Sequence, residues 1–188
     1  MPEFLFARAR ILEAFQALSD ELGRMGVHGE FFVVGGAAIA LTYDTRRITR
    51  DVDAAFEPKA QVREAARRVA ERLELPDDWI NDAAKSFMPG SDPSAQPVLS
   101  LENVEVAVGS PRYLLAMKLL ATRIGEDDQD IRLLLRASGI KSVDEALGLV
   151  TAYYPVAIIP PKTRFFLEEI LNSAGPGTGL AEGQDTRP

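Results

Sequence analysis

The sequence contains no cysteine and only one histidine, His28, among its 188 residues. Without cysteine the chain forms neither disulfides nor thiolate metal sites. A zinc site or a Ser-His triad is implausible for the same reason, because both depend on histidine or cysteine in defined sets. The composition therefore argues against thiol-based and histidine-based chemistry.

Long hydrophobic runs are also missing, although 46% of the residues are apolar. The longest runs are short, such as residues 156–159, and none approaches the roughly 20 residues that a membrane span needs. The amino terminus, MPEF, lacks the basic start and apolar core of a signal peptide. We therefore expect a cytoplasmic protein with no membrane partner.

Positive charge is scarce, since 21 Lys and Arg stand against 28 Asp and Glu and give a net charge of −7. Broad, nonspecific binding to nucleic acid relies on net positive charge and is disfavoured here. A local basic patch is still compatible with this balance, and Arg46, Arg47 and Arg50 crowd together in the sequence. A second arginine cluster, over residues 63–72, is better explained as the solvated face of a helix.

An apolar stretch, residues 31–34, runs directly into the glycine pair Gly35 and Gly36. Paired glycines let backbone N–H groups approach a phosphate closely. The helix that follows would add the favourable dipole of its N-terminus. The pattern favours a phosphate-binding turn, and a simple tight strand-to-helix turn is the alternative.

Two carboxylates, Asp51 and Asp53, follow on a second predicted strand. Side chains on a strand alternate with a period of two, so both acids point to the same face. Mg²⁺ is usually held by one or two carboxylates together with substrate phosphates. The apolar neighbours at residues 54–56 argue against the alternative, an exposed edge strand with solvated acids. Together with the glycine pair, the two acids predict nucleotidyl transfer with Mg²⁺ or Mn²⁺.

Hydrophobic periodicity predicts one helix, then strands interleaved with helices, then helices only. The predicted strands are residues 30–34, 51–56, 98–101 and 104–108. The predicted helices are residues 4–24, 37–43, 59–75, 112–123, 127–137, 142–153 and 161–172, with a further short helix that starts at 76 and contains Trp79 and Asn81. This order predicts an α/β (α+β) fold in which helices flank a small mixed sheet. We expect a catalytic core over 1–109, a helical subdomain over 110–172 that completes the site, and a disordered tail over 173–188.

The longer patterns around these residues resemble the DNA polymerase β-like nucleotidyltransferase superfamily. Residues 47–53 (RITRDVD) look like its R-x-T/S-x-D-h-D motif, in which h is apolar. Residues 114–123 (LLAMKLLATR) look like the lysine motif of the toxin-type branch, and residues 127–131 (DDQDI) look like its final acidic motif. This layout is similar to that of AbiEii-type and MenT-like toxins and of short nucleotidyltransferases of unknown function. Residues 79–82 (WIND) also resemble a stretch of these short members.

The resemblance implies roles for individual residues. Asp51 and Asp53 would hold one or two Mg²⁺ ions, and Lys118 would contact phosphate. Asp130 would be the base or the positioning group for the acceptor hydroxyl. The residues implied to bind the NTP are Gly35, Gly36, Arg47, Thr49 and Lys118.

The sequence departs from the family pattern at two places. Relatives carry arginine where Glu126 stands, which weakens a claim for an arginine contact there. Glu105 is the candidate for the third strand carboxylate of the superfamily, and Asp127 is one helical turn from Asp130. Whether Glu105 or Asp127 joins the site, and whether Thr49 is itself modified, stays open at this point.

The resemblance to toxin-type members implies an RNA acceptor, the 3′ end of tRNA, and a cognate antitoxin protein as partner. A small-molecule or protein hydroxyl is an alternative acceptor, which the acidic net charge would suit. The third alternative is a non-catalytic nucleotide-binding module that keeps the fold.

Overall fold

The computed structural model describes residues 4–121 and 125–173. In these residues five strands form one sheet, and seven α-helices and one 3₁₀ helix pack around it. The strands are β1 (Gly29–Val33), β2 (Val52–Glu57), β3 (Ile80–Asn81), β4 (Gln96–Leu101) and β5 (Val104–Val108). The α-helices are α1 (Arg8–Arg24), α2 (Gly35–Thr42), α3 (Lys59–Leu73), α4 (Pro111–Ala121), α5 (Asp128–Ser138), α6 (Val143–Tyr153) and α7 (Pro161–Ser173), and the 3₁₀ helix is Ala83–Phe87.

The sheet is mixed, with the order β3-β2-β1-β5-β4. The central strand β1 runs antiparallel to β2 and parallel to β5, while β3 is parallel to β2 and β4 is antiparallel to β5. At the carboxyl end of β1, the N–H of Val34 donates to the carbonyl of Asp53 over 2.9 Å. The predicted α+β class with a mixed sheet and flanking helices is confirmed, and the start of β2 lies beside the end of β1.

One face of the sheet is covered by α1 and α3. Phe31 lies between Phe56 and Val106 in the strand register, and all three side chains are buried. The ring of Phe15 from α1 meets the Phe31 ring edge-on at 5.4 Å between centroids. Alternation of apolar residues along the strands therefore gives this face its core. On the opposite face, Tyr113 of α4 packs edge-on against Phe32 at 5.3 Å.

The predicted short helix over Trp79 and Asn81 is wrong, because Trp79 lies in a bend and Asn81 belongs to β3. The N–H of Val52 donates to the carbonyl of Trp79 over 2.7 Å, and Asn81 pairs with Asp53 as part of β3. The Trp79 ring is fully buried, and its Nε1 donates to the carbonyl of Ala66 in α3 over 3.1 Å. Burial of the indole and pairing with β2 outweigh the local helix signal of Pro76, since tertiary context overrides weak propensity.

The chain before α1 is also extended where a helix was predicted. Phe6 is fully buried and exchanges two backbone hydrogen bonds with Thr49, of 2.7 and 3.0 Å. Thr49 consequently belongs to this isolated bridge and lies outside β2. β2 begins only at Val52, because the chain bends at residues 50–51.

The later helices agree closely with their predicted positions. Ser142 caps the N-terminus of α6, since its Oγ accepts a hydrogen bond of 3.2 Å from the N–H of Glu145. Ser173 ends α7, so the predicted tail does not begin there, and the rest of it, 174–188, lies outside the described residues. The division into a core over 1–109 and a helical subdomain over 110–172 stays a prediction. In the described ranges no helix combines the length and the apolar character that crossing a membrane requires.

Candidate active site

A cleft of about 900 Å³ opens at the carboxyl end of β1. Its wall joins the start of α2, the start of β2, the 3₁₀ helix and the inward face of α4. The predicted site residues in its lining are Gly35, Gly36, Arg47, Thr49, Asp51, Asp53 and Lys118. Motifs that are up to 83 positions apart in the sequence therefore meet at one place.

The two glycines fit tightly against the neighbouring side chains. Gly35 has a φ of +66°, and a Cβ there would lie 3.0 Å from Asp53 Oδ2. A Cβ on Gly36 would lie 2.6 Å from Thr49 Oγ1, which is closer than real Cβ contacts come. The turn therefore needs glycine both for its backbone conformation and for space. It brings the first N–H groups of α2 to the cleft, where they have no intrahelical acceptor.

Asp51 and Asp53 are both half-buried and line the cleft. Asp51 stands one residue before β2, and Asp53 is the second residue of that strand. Asp51 Oδ2 accepts a hydrogen bond of 3.0 Å from Asn81 Nδ2, while Asn81 Oδ1 accepts one of 3.0 Å from the N–H of Ala83. The amide of Asn81 thereby fixes the Asp51 carboxylate relative to the 3₁₀ helix.

Asn81 is a functional candidate that sequence reasoning missed. Its only sequence signal is the WIND stretch at residues 79–82, which implies no role for Asn81. The sequence predicts a helix at this position, whereas the pairing of Asn81 with Asp53 in β3 depends on contacts distant in sequence.

Beside the glycine turn lies an ion-pair cluster of Arg47, Lys118, Asp127 and Asp130. Arg47 donates to both oxygens of Asp130, from Nε over 2.9 Å and from Nη2 over 3.0 Å. Lys118 Nζ lies 2.9 Å from Asp130 Oδ2 and also pairs with Asp127. The Asp130 side chain is 4% exposed and that of Asp127 is 6% exposed. The two acids at the start of α5 are therefore buried and not solvated.

Asp130 lies behind the cleft wall and acts on it through Arg47 and Lys118. Burial alone would raise the pKa of this carboxyl, but hydrogen bonds from Arg47 and Lys118 outweigh it and hold the pKa below its usual range. A low pKa and a buried position make a poor proton acceptor. The arrangement therefore favours a positioning role for Asp130, whereas Asp127 itself lines the cleft.

Glu105 does not join this cleft. It pairs with Glu30 on β1, which pairs with Glu57 on β2, so Glu105 is level with Glu57. Asp53 precedes Glu57 by four residues, which is about 13 Å along a strand. Glu105 accepts a hydrogen bond from Ser100 Oγ and lines a separate cleft of about 420 Å³. Glu126 does line the main cleft.

The carboxylate pair is the part of the cleft that suits a hard cation. In residues 4–121 and 125–173, no group of three or more His, Cys, Asp or Glu is placed to hold a metal. Mg²⁺, however, is commonly bound by one or two carboxylates, with water and substrate phosphates as the other ligands. Asp51 and Asp53 fit that donor set, and the missing Cβ of Gly35 leaves room beside Asp53 Oδ2.

Comparison with known proteins gives one family. A family model described as "Nucleotidyltransferase of unknown function (DUF6036)" matches residues 9–147. The match includes every cleft residue named above and the whole ion-pair cluster. Searches of the curated proteins and of the solved structures gave no significant match.

Proposed function

Because this chain belongs to the DUF6036 family of nucleotidyltransferases, we propose that it transfers a nucleoside monophosphate from an NTP to an acceptor hydroxyl, with Mg²⁺ or Mn²⁺ bound. One observation carries the proposal: the glycine turn, the carboxylate pair and Lys118 line the same cleft. Each supplies a different requirement of nucleotidyl transfer, namely a phosphate cradle, a cation site and a fixed positive charge.

The triphosphate would bind against the glycine turn. Backbone N–H groups at the start of α2 point toward anions, and the helix dipole adds to this attraction. Lys118 supplies a compact positive charge that suits phosphate oxygens. Its ammonium is held in place by Asp127 and Asp130, so the side chain loses little conformational freedom when phosphate binds. Arg47, held by Asp130, lines the same cleft.

Asp51 and Asp53 would hold the cation. When bound, Mg²⁺ neutralises charge on the phosphates and orients them for displacement. The chain's own contribution is to fix the carboxylates, and the Asn81 amide does this for Asp51.

In the proposed step, the acceptor oxygen attacks the α-phosphorus and forms a new P–O bond. The bond from the α-phosphorus to the bridging oxygen breaks, pyrophosphate leaves with the electron pair, and the hydroxyl proton passes to water. The protein serves this reaction mainly by positioning and electrostatic stabilisation.

We propose RNA, at the 3′ end of tRNA, as the acceptor, and a toxin role opposed by an antitoxin protein. The motif resemblance to toxin-type enzymes supports this, as do the arginines at the cleft. The Arg46 side chain is 92% exposed, and Arg47 and Arg50 line the cleft. These arginines are cationic groups at and beside the cleft, and such groups suit the phosphates of an RNA backbone.

The test is transfer of label from each of the four α-³²P-NTPs to bulk tRNA with Mg²⁺. We expect labelled RNA with the wild type and none with Asp51→Ala, while the matched control Asp78→Asn, an exposed acid outside the cleft, keeps full activity. Label on a protein or a small molecule would identify that molecule as the acceptor in place of RNA. The absence of any labelled product with all four NTPs would overturn the proposed activity.

A further inference from the structure

An exposed aromatic ring borders the candidate active site. Phe87, the last residue of the 3₁₀ helix, is 64% exposed and lines the main cleft. In the described parts of the chain, no close aromatic pair includes its ring. A phenylalanine ring that is largely in contact with water contributes little hydrophobic stabilisation. The fold therefore gains little from this ring where it stands.

Two further exposed apolar side chains lie on the same cleft. Leu5 is 47% exposed and Ile48 is 44% exposed, and both line it. The other large exposed apolar residues of the described chain, Val156, Ile158 and Phe165, do not. Next to Phe87, the small side chains of Ala83 and Ala84 also belong to the cleft lining. The cleft thus has an apolar, open part in addition to its charged part.

The backbone that carries Phe87 is held from three sides. Asn81 connects it to Asp51 near β2. Asp82 accepts hydrogen bonds of 3.1 Å from Arg63 of α3. The hydroxyl of Tyr154, just after α6, donates to the carbonyl of Phe87 over 2.6 Å. The exposed ring therefore belongs to a backbone segment that hydrogen bonds hold in place, and not to a loose loop.

We propose that Phe87 is a stacking platform for a nucleobase at the mouth of the cleft. A flat ring that is exposed, backed by a fixed backbone and in the same cleft as the glycine turn suits a base, because every base has a π-face. This inference rests on the proposed function, and it names the part of the site that takes the base. The base comes either from the NTP donor or from the end of the RNA acceptor, and the experiment separates the two.

The first arm measures binding of α,β-methylene NTP analogues and of tripolyphosphate with Mg²⁺ by calorimetry. If the platform holds the donor base, Phe87→Ala weakens analogue binding about 5- to 100-fold and leaves tripolyphosphate binding unchanged. Phe87→Trp retains wild-type affinity, and Phe87→Leu, which keeps bulk without a π-face, falls between. Phe165→Ala is the matched control, since this 69% exposed ring lies on α7 away from the cleft.

The second arm measures KM for bulk tRNA at saturating NTP. If the platform holds the acceptor base, Phe87→Ala raises this KM about 5- to 100-fold while analogue binding stays unchanged. The inference is overturned if Phe87→Ala alters neither quantity, or if it weakens tripolyphosphate binding as much as analogue binding. If instead the wild type binds neither analogue nor tripolyphosphate and transfers no label, the proposed function fails and this inference fails with it.

Discussion

Arg47 forms a bidentate ion pair with Asp130, in which Nε donates to Oδ1 over 2.9 Å and Nη2 donates to Oδ2 over 3.0 Å. The contact joins the segment before β2 to α5, 83 positions later. Bidentate pairs of this kind fix direction as well as distance. Because Lys118 binds the same carboxylate, Asp130 sets the position of two positively charged side chains that line the cleft.

Removal of Asp130 should therefore destabilise the protein. Asp130→Ala leaves Arg47 and Lys118 without their shared acid, and we expect the free energy of unfolding to fall by about 3 kcal/mol. The lower end of the range applies because Lys118 keeps Asp127 and the Arg47 side chain is 33% exposed. Arg47→Ala should cost less, about 1–2 kcal/mol, because Lys118 still neutralises Asp130. Urea unfolding followed by circular dichroism measures both values, and equal costs would contradict this ranking.

Lowering the pH should destabilise the protein through protonation of the Asp130 carboxylate. Burial acts to raise the pKa of Asp130, but hydrogen bonds from Arg47 and Lys118 prevail and lower it. A group whose pKa is lowered on folding contributes stability above its unfolded pKa of about 3.9, and loses it as pH falls through the folded value. The free energy of unfolding should thus decline below about pH 4.

The check on this pH dependence is a series of urea titrations at falling pH. Asp130→Asn should flatten the acid limb of the profile, while Asp78→Asn, an exposed control, should keep the wild-type slope. An unchanged acid limb in Asp130→Asn would show that other groups dominate acid unfolding.

The glycine turn should not tolerate even one added methyl group. In Gly36→Ala the new Cβ would meet Thr49 Oγ1 at 2.6 Å, and we expect a loss of about 1–3 kcal/mol of stability. The second change Thr49→Ala removes that oxygen and should restore part of the loss. Gly148→Ala is the matched control, because a Cβ there meets nothing within 4 Å in α6 and should stabilise the helix by up to about 1 kcal/mol. Thermal unfolding compares the variants, and equal shifts for Gly36→Ala and Gly148→Ala would refute the steric argument.

Asn81 should matter for the cation more than for the fold. Asn81→Ala removes the donor to Asp51 Oδ2, and loss of such an orienting partner commonly lowers metal affinity about 10- to 100-fold. Calorimetry with Mn²⁺ measures this affinity directly, and Asp51→Ala serves as the reference for complete loss. Asn81→Ala binding Mn²⁺ as tightly as the wild type would mean that Asp51 needs no support.

The sequence predicted much of this architecture for identifiable reasons. The periodicities of β5 and α6 are local signals, and both elements lie where they were predicted. The state of Trp79 and Asn81 was wrong, because it depends on burial against α3 and on pairing with β2. The same limit applies to the site: the motifs around Asp51 and Lys118 were visible, whereas the bond from Asn81 to Asp51 exists only once β3 has formed.

The glutamate row Glu57–Glu30–Glu105 has a consequence for assembly. These side chains are neighbours across three adjacent strands and all are exposed, with Lys85 as the cation that lines the same small cleft. Like charges directly opposite one another destabilise a sheet. Two copies stacked through this exposed patch would bring two such rows together at neutral pH. Electrostatic repulsion thereby disfavours self-association through the patch.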